Sequence, residues 1–466
     1  MSVQCMWPNA QHLSNEDGRR SQMSVTTSSL AISNLRSPPV GYLPENQDEL
    51  YLASTCIVNR LRESSGEAPD VQWIESIIES QSNWTSLHLE LPLGGNGSEE
   101  LFSYFSRTFL PSLTHEYSHP RYRNHGYWIN LAKANRPLME AALACSAISI
   151  SHKIPSDSQK VPQLRQRALI HQTIAITIMR QAIESGTADG TGDWLLATVI
   201  LLTLFDNRDP SCTASSGGMH VRAIIQLLKC HQAAKMRPRN SAGQGSEDPR
   251  VVFERICYES LLYHGTVMMI YDRNFDALVG FEAWQMIDEY FGTCLLPVDD
   301  AKESWPVLGV PYKLFRIIVA VSRLSRCRPL RNDDLAVASI VSAELTRWVA
   351  VLASDQNSPG KLYVLAAKIL LEDVLSQQPE GAHLMNSVLR DISRFMVEMT
   401  TVEVRPQMSR YNLWPLSILE HIAKNADDKR LIKNKIAETI YMLDGGGVMQ
   451  LPQEFFERYV DIPGIL

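Results

Sequence analysis

Crowded cysteine is the first thing this sequence lacks. Eight cysteines stand singly at positions 5, 56, 145, 212, 230, 257, 294 and 327, the nearest two are 18 positions apart, and no CxxC occurs. A binuclear zinc cluster needs six thiolates in one short stretch, since each must reach a metal at about 2.3 Å. The spacing therefore predicts no local zinc module, no disulfide framework and a reducing compartment.

Excess positive charge is missing too. The chain carries a net charge of -7, whereas nonspecific phosphate binding needs a surplus of Lys and Arg. Two short basic stretches, Lys235 to Arg239 and Asp428 to Lys435, are interrupted by proline or acid and read as a solvated loop and a solvated helix face. Nothing in the charge supports direct DNA contact.

Long apolar runs are equally scarce. The longest, Trp194 to Phe205, falls well short of the roughly 20 residues that span a bilayer, so it predicts a buried core helix and no membrane association. The first twenty residues are polar and turn-rich, without the apolar centre of a secretory signal. The sequons at Asn83 and Asn96 are accordingly expected to stay unglycosylated.

The familiar catalytic patterns are absent as well. The glycine clusters at Gly94, Gly243 and Gly445 match no phosphate-binding loop, and neither GxSxG nor HExxH occurs. His115 and Glu116 are adjacent but lack a second histidine at ligand spacing. Cys230 and His231, also adjacent, point to different faces of a helix and read as structural. Asp299, Asp300 and Glu303 imitate the acidic box with which helical terpene cyclases hold magnesium diphosphate. The required second motif fails at Asn332, which follows too soon and has no hydroxyl at the matching position. These acids read instead as helix-start residues. No catalytic, cofactor-binding or metal-binding residue is assigned, no cofactor is expected, and the chain is read as a non-enzyme.

What is present is ordinary globular composition: 45% hydrophobic and 20% charged residues, enough to bury a large core. Residues 1–45 are rich in Ser, Asn, Pro and Thr and read as a disordered leader. From 46 to 466 apolar residues recur at helical spacing without period-2 alternation, which predicts an all-α, irregular multi-helix body. Helices are expected over Asp48–Arg62, Val71–Ser82, Pro137–His152, Val161–Glu184, Asp193–Phe205, Met219–Gln232, Arg250–Tyr271, Pro311–Arg326, Asp333–Leu352, Lys361–Leu375, His383–Met399 and Asp428–Leu443. Two polar interruptions, Asp206–Gly218 and Arg237–Pro249, read as long surface loops, and the second is a candidate subdivision at 237–249. Trp194, Trp348 and Trp414 sit among apolar helix positions and are expected in the core.

Several segments, in order, resemble the fungal-specific transcription factor domain, the helical regulatory region found downstream of binuclear zinc clusters. They are "LFSYFSRTFLPSL" from Leu101, "NRPLMEAALACSAISISHK" from Asn135, "QRALIHQTIAITIMRQAI" from Gln166, "DWLLATVILLTLFDNRDPS" from Asp193, "HVRAIIQLLK" from His220 and "LWPLSILEHIAKNADDKRLIKNKI" from Leu413. Arg222 and Ala223 stand where the family's helix more often has Arg and Gly. The resemblance implies a nuclear regulator of fungal metabolism, with a secondary-metabolite gene cluster as the family-level expectation for its target. Without a zinc cluster it implies action through a partner transcription factor, a second copy of the chain or a small-molecule effector. A helical enzyme or accessory biosynthetic protein that reuses the scaffold is the alternative. A third reading places a zinc cluster in an upstream exon outside this sequence.

Overall fold

The structure, a computed structural model, describes residues 96–442 apart from 155–157, 159, 189, 207, 209–213, 236–247, 272–280, 299–301, 328–329, 353–359, 379–412 and 424. The leader, the helices expected at Asp48–Arg62, Val71–Ser82 and His383–Met399, and most of the 237–249 interruption lie outside these residues. The described residues are 82% helical and include no strand, so the class is all-α.

The helices in chain order are α1 (Asn96–Tyr104), α2 (Gly126–Ala134), α3 (Arg136–Ser151), α4 (Lys160–Glu184), α5 (Asp193–Asp206), α6 (Ala214–Lys235), α7 (Pro249–Tyr271), α8 (Phe281–Thr293), α9 (Tyr312–Leu324), α10 (Asn332–Leu352), α11 (Gly360–Ser376), α12 (Leu413–Ile422) and α13 (Ala426–Met442). A π-helical turn, Phe105–Phe109, runs on directly from α1, and the Leu110 amide reaches back to the Phe105 carbonyl at 2.8 Å. The wider turn keeps Phe102, Phe105 and Phe109 in one stack, with successive ring centroids 5.9 and 5.8 Å apart.

Burial explains why α3 and α5 are the central helices. In α3, Pro137 occupies the first turn, where its missing N–H costs nothing, and the extended Asn135 precedes it. From Ala141 to Ser151 every side chain of α3 is buried. Its Ala141, Ala142, Ala144 and Ala147 let neighbouring backbones approach closely, and α4, α5, α1 and α2 all pack around it. A helix that is apolar on every side must be enclosed. The same holds for α5, which is buried from Leu195 to Asp206 and so is a core helix, as its short apolar run predicts.

One helix among the described residues, α10, has the length and apolarity of a membrane crossing. Here its Val337, Val341, Leu345 and Trp348 form a buried stripe packed on α11 and α9. Ser339, Ser342, Thr346 and Arg347 occupy its exposed face.

Most boundaries follow the periodicity; the start of α6 does not. Residues 214–218, expected in a loop, are helical, and α6 begins at Ala214 rather than Met219. Once an apolar body has nucleated a helix, each added residue gains a hydrogen bond at modest propensity cost, even for Ser and Gly. Two short helices, α2 and α8, match neither an expected helix nor a family-like segment. In α2 the signal is masked by Gly126, whose amide is instead organised by the Asn124 side chain at 3.1 Å. A single hydrophobic cluster runs from Leu101 to Ile436 and includes residues on both sides of 237–249.

Candidate functional site

The residues singled out by sequence separate in the structure. Asp299 and Asp300 lie outside the described residues, and Glu303 is exposed on a short 3-10 turn, where its carbonyl accepts from the His119 amide at 2.9 Å. His115 is fully buried, and its Nδ1 accepts from the Tyr117 amide at 3.0 Å. Cys230 is exposed on α6 while its neighbour His231 is buried, as their opposite helix faces predict. Of the three tryptophans expected in the core, Trp348 and Trp414 are buried, while Trp194 is partly buried against the same cluster. Among the described residues no group of three His, Cys, Asp or Glu side chains could hold a metal ion.

Three buried polar seams, unassigned from the sequence, hold the helices together. The first two lie at opposite ends of α5. Asp193, in its first turn, is favourably placed on the positive end of the helix dipole. Arg250 Nη2 of α7 donates to it at 3.0 Å while Nε lies 3.0 Å from its other oxygen as an ion pair, and the Tyr127 hydroxyl of α2 donates as well. Burial and then the hydrogen bond to Asp193 push the Tyr127 phenol above its ordinary value. His231 of α6 approaches the same carboxylate at 3.5 Å.

At the other end of α5, Asp206 faces the negative end of the dipole, an unfavourable place for a carboxylate. His220 of α6 at 3.1 Å and the Gln172 amide of α4 at 2.9 Å offset that cost. His220 and His231 lie on one face of α6 and meet the two ends of α5 in antiparallel order. Nearby, His152 Nε2 donates to the Arg208 carbonyl at 2.7 Å, and Arg208 Nη1 caps the Leu204 carbonyl at 3.2 Å.

The third seam is the most deeply enclosed. Arg255 and Glu259, one turn apart on α7, have no exposed side-chain surface, and Arg255 Nε donates to Glu259 Oε1 at 2.6 Å. The guanidinium carbon lies 4.2 Å from the Trp305 ring centroid and 4.7 Å from that of Phe291, so the cation is caged by π faces. Arg255 Nη2 also donates to the Ser304 carbonyl at 3.1 Å. Glu259 Oε2 accepts from the backbone amides of Val307 and Leu308 at 2.8 and 2.9 Å. The turn that presents those amides closes at Gly309, whose φ of 66° favours a residue without a side chain.

Burial opposes charge on Arg255, but the Glu259 carboxylate more than offsets it, and the guanidinium is held above its usual value. Burial likewise pushes the Glu259 carboxyl up, against the pull of Arg255 and the two amides. Three donors on two oxygens identify it as the carboxylate, since a protonated acid would face at least one donor with another. The seam thus clamps the segment from Ser304 to Leu308 onto α7. A signal for it exists in the sequence, namely an Arg and a Glu at i, i+4 inside a largely apolar stretch, "VVFERICYESLLY". That spacing is far more common on exposed helix faces.

These seams position helices and offer no nucleophile beside a base on an open surface. Compared with known proteins, residues 100–446 match the family described as fungal specific transcription factor domain. No curated protein and no solved structure gives a significant match.

Proposed function

Because the chain belongs to the fungal-specific transcription factor domain family, we propose that it is a nuclear transcription regulator of fungal metabolism that controls a secondary-metabolite gene cluster. The observation that carries this reading is the family match over residues 100–446, which takes in α2 to α13 whole and α1 from Glu100 onward. In this reading the helical body is the regulatory part. In this reading base-edge contact falls to a partner transcription factor. The buried seams support the same role, because they join α2, α4, α5, α6 and α7 so that an effector or partner touching one helix acts on all of them.

Deleting the gene and measuring cluster transcripts alongside metabolites tests the proposal. Loss of the transcripts is the expected result. Normal transcripts with an accumulated biosynthetic intermediate would overturn it and assign the scaffold to the pathway's chemistry.

A further inference from the structure

The outer face of α10 is apolar but uncovered. Although the helix is long and apolar enough to cross a membrane, only 33% of its most apolar stretch is buried, whereas α3 and α5 are enclosed. Its inner stripe is already packed on α9 and α11, so the outer face is what remains to be covered. Near its two ends Leu335 and Val351 are 39% and 56% exposed. Between them Ala336, Ser339, Ala343, Thr346 and Ala350, all exposed, recur at alternating spacings of three and four. That spacing is the seam of a helix pair, and side chains this small let two helix axes approach to about 8 Å. The Thr346 hydroxyl donates to the Ser342 carbonyl of its own helix at 2.9 Å, so covering it strands no donor.

The charges say what covers this face. α10 carries Asp333, Asp334, Glu344 and Arg347. Asp334 is buried and accepts from the Arg331 amide at 2.7 Å, and Glu344 pairs with Arg347 at 2.9 Å. Asp333 and Arg347 are exposed and stand at equal distances on either side of Ile340 along one flank of the seam. Two copies of α10 laid antiparallel about a two-fold axis beside Ile340 bring Arg347 of each copy to Asp333 of the other. The seam residues interleave in the same register, Ala343 of one copy facing Ser339 of the other and Ala336 facing Thr346. Antiparallel packing also opposes the two helix dipoles. A parallel pair would set Arg347 on Arg347 and Asp333 on Asp333. The face is therefore complementary to itself, which is the requirement of an isologous dimer.

We propose that α10 is a homodimer interface, in which its outer face packs antiparallel on the same face of a second copy of this chain. One side of a helix this long covers about 300 Å² per copy, less than the roughly 800 Å² of a standard interface. The dimer is consequently reversible, half-dissociating at about 10–100 µM. This inference does not rest on the regulatory reading, since association is measured on the purified chain and transcription in the cell.

Sedimentation velocity of the full chain from about 1 to 300 µM brackets that range. A monomer at low concentration giving way to a dimer at high concentration is the expected result. Ala343→Arg, which blocks the close approach, should leave a monomer throughout. Arg347→Glu and Asp333→Arg each set like charges together and should raise the half-dissociation concentration about fivefold, and the double variant should return it to within about twofold of wild type. All three positions are exposed, and unchanged far-ultraviolet circular dichroism would verify the fold. A wild-type monomer at every concentration overturns the proposal without needing any variant, and does so in favour of a lipid surface if that monomer sediments with phosphatidylcholine vesicles. A dimer indifferent to Ala343→Arg places the interface elsewhere and overturns it too, as does failure of the double variant to recover.

Discussion

His220 Nε2 on α6 lies 3.1 Å from Asp206 Oδ2 at the end of α5, with both side chains almost wholly enclosed. The pair places an imidazole against a carboxylate that its own helix dipole disfavours. Together with His231 and Asp193 at the opposite end, it sets the register of α6 along α5. A one-turn slide of α6 would separate both pairs at once, which makes the register of this helix pair specific.

Replacing Asp206 by Leu should therefore destabilise the protein by about 2–5 kcal/mol, because it strips the buried acceptor from Gln172 and the carboxylate that faces His220. Asp206→Asn, which keeps shape and one acceptor, should cost less. Urea-unfolding midpoints of the two variants check the order. Equal midpoints for both variants and the parent would mean that the seam contributes nothing.

The clamp on α7 predicts a different ranking. Arg255→Met leaves Glu259 with two backbone donors but no cation, and should cost about 3–5 kcal/mol. Glu259→Leu strands the cation and also orphans the Val307 and Leu308 amides, so it should cost more. Hydrogen exchange would localise the second effect: those two amides should lose protection in Glu259→Leu and retain most of it in Arg255→Met.

His125 predicts an acid limb. Burial holds its imidazole down at about 4, against an ordinary 6.5, and its place at the start of α2 acts in the same direction. The unfolded chain takes up a proton in that window while the folded chain does not. Its contribution to stability is thus complete above pH 6.5 and is lost as the pH falls toward 4. Replacement of His125 by Asn should flatten the dependence across that range. An NMR titration placing the folded ring at its ordinary value would contradict the cause.

Helix enclosure predicts a contrast between two alanines. Ala144 on α3 has no exposed surface and packed neighbours on every side, so Ala144→Leu should cost about 1–3 kcal/mol or prevent folding. Ala343 lies on the exposed face of α10, and Ala343→Leu should stay within about 0.5 kcal/mol of the parent. Thermal denaturation distinguishes them directly.

How much of this was legible beforehand differs element by element. The core helices α3, α4, α5 and α7 could be read because apolar periodicity and proline or glycine punctuation are local signals. Trp414 is a middle case. Its entry into a helix could be read from "LWP", but its nearly parallel stacking on Tyr363, with centroids 5.5 Å apart, could not. Short helices such as α8 were lost because few residues contribute to their periodicity.

The sequence by itself determined the helical class, the burial of the long apolar helices and the lack of clustered thiolates, all of which depend on residue type and near-neighbour spacing. Only the tertiary structure decided which charged residues are enclosed and whom they meet. His220 finds Asp206 across a loop, Arg250 finds Asp193 from another helix, and Glu259 finds the amides of Val307 and Leu308. The reason is physical: a charge on a helix carries no local mark of its burial, because burial depends on which other helix packs over it. Its partner is chosen when the helices dock, since enclosing a charge without one would cost more than the packing gains.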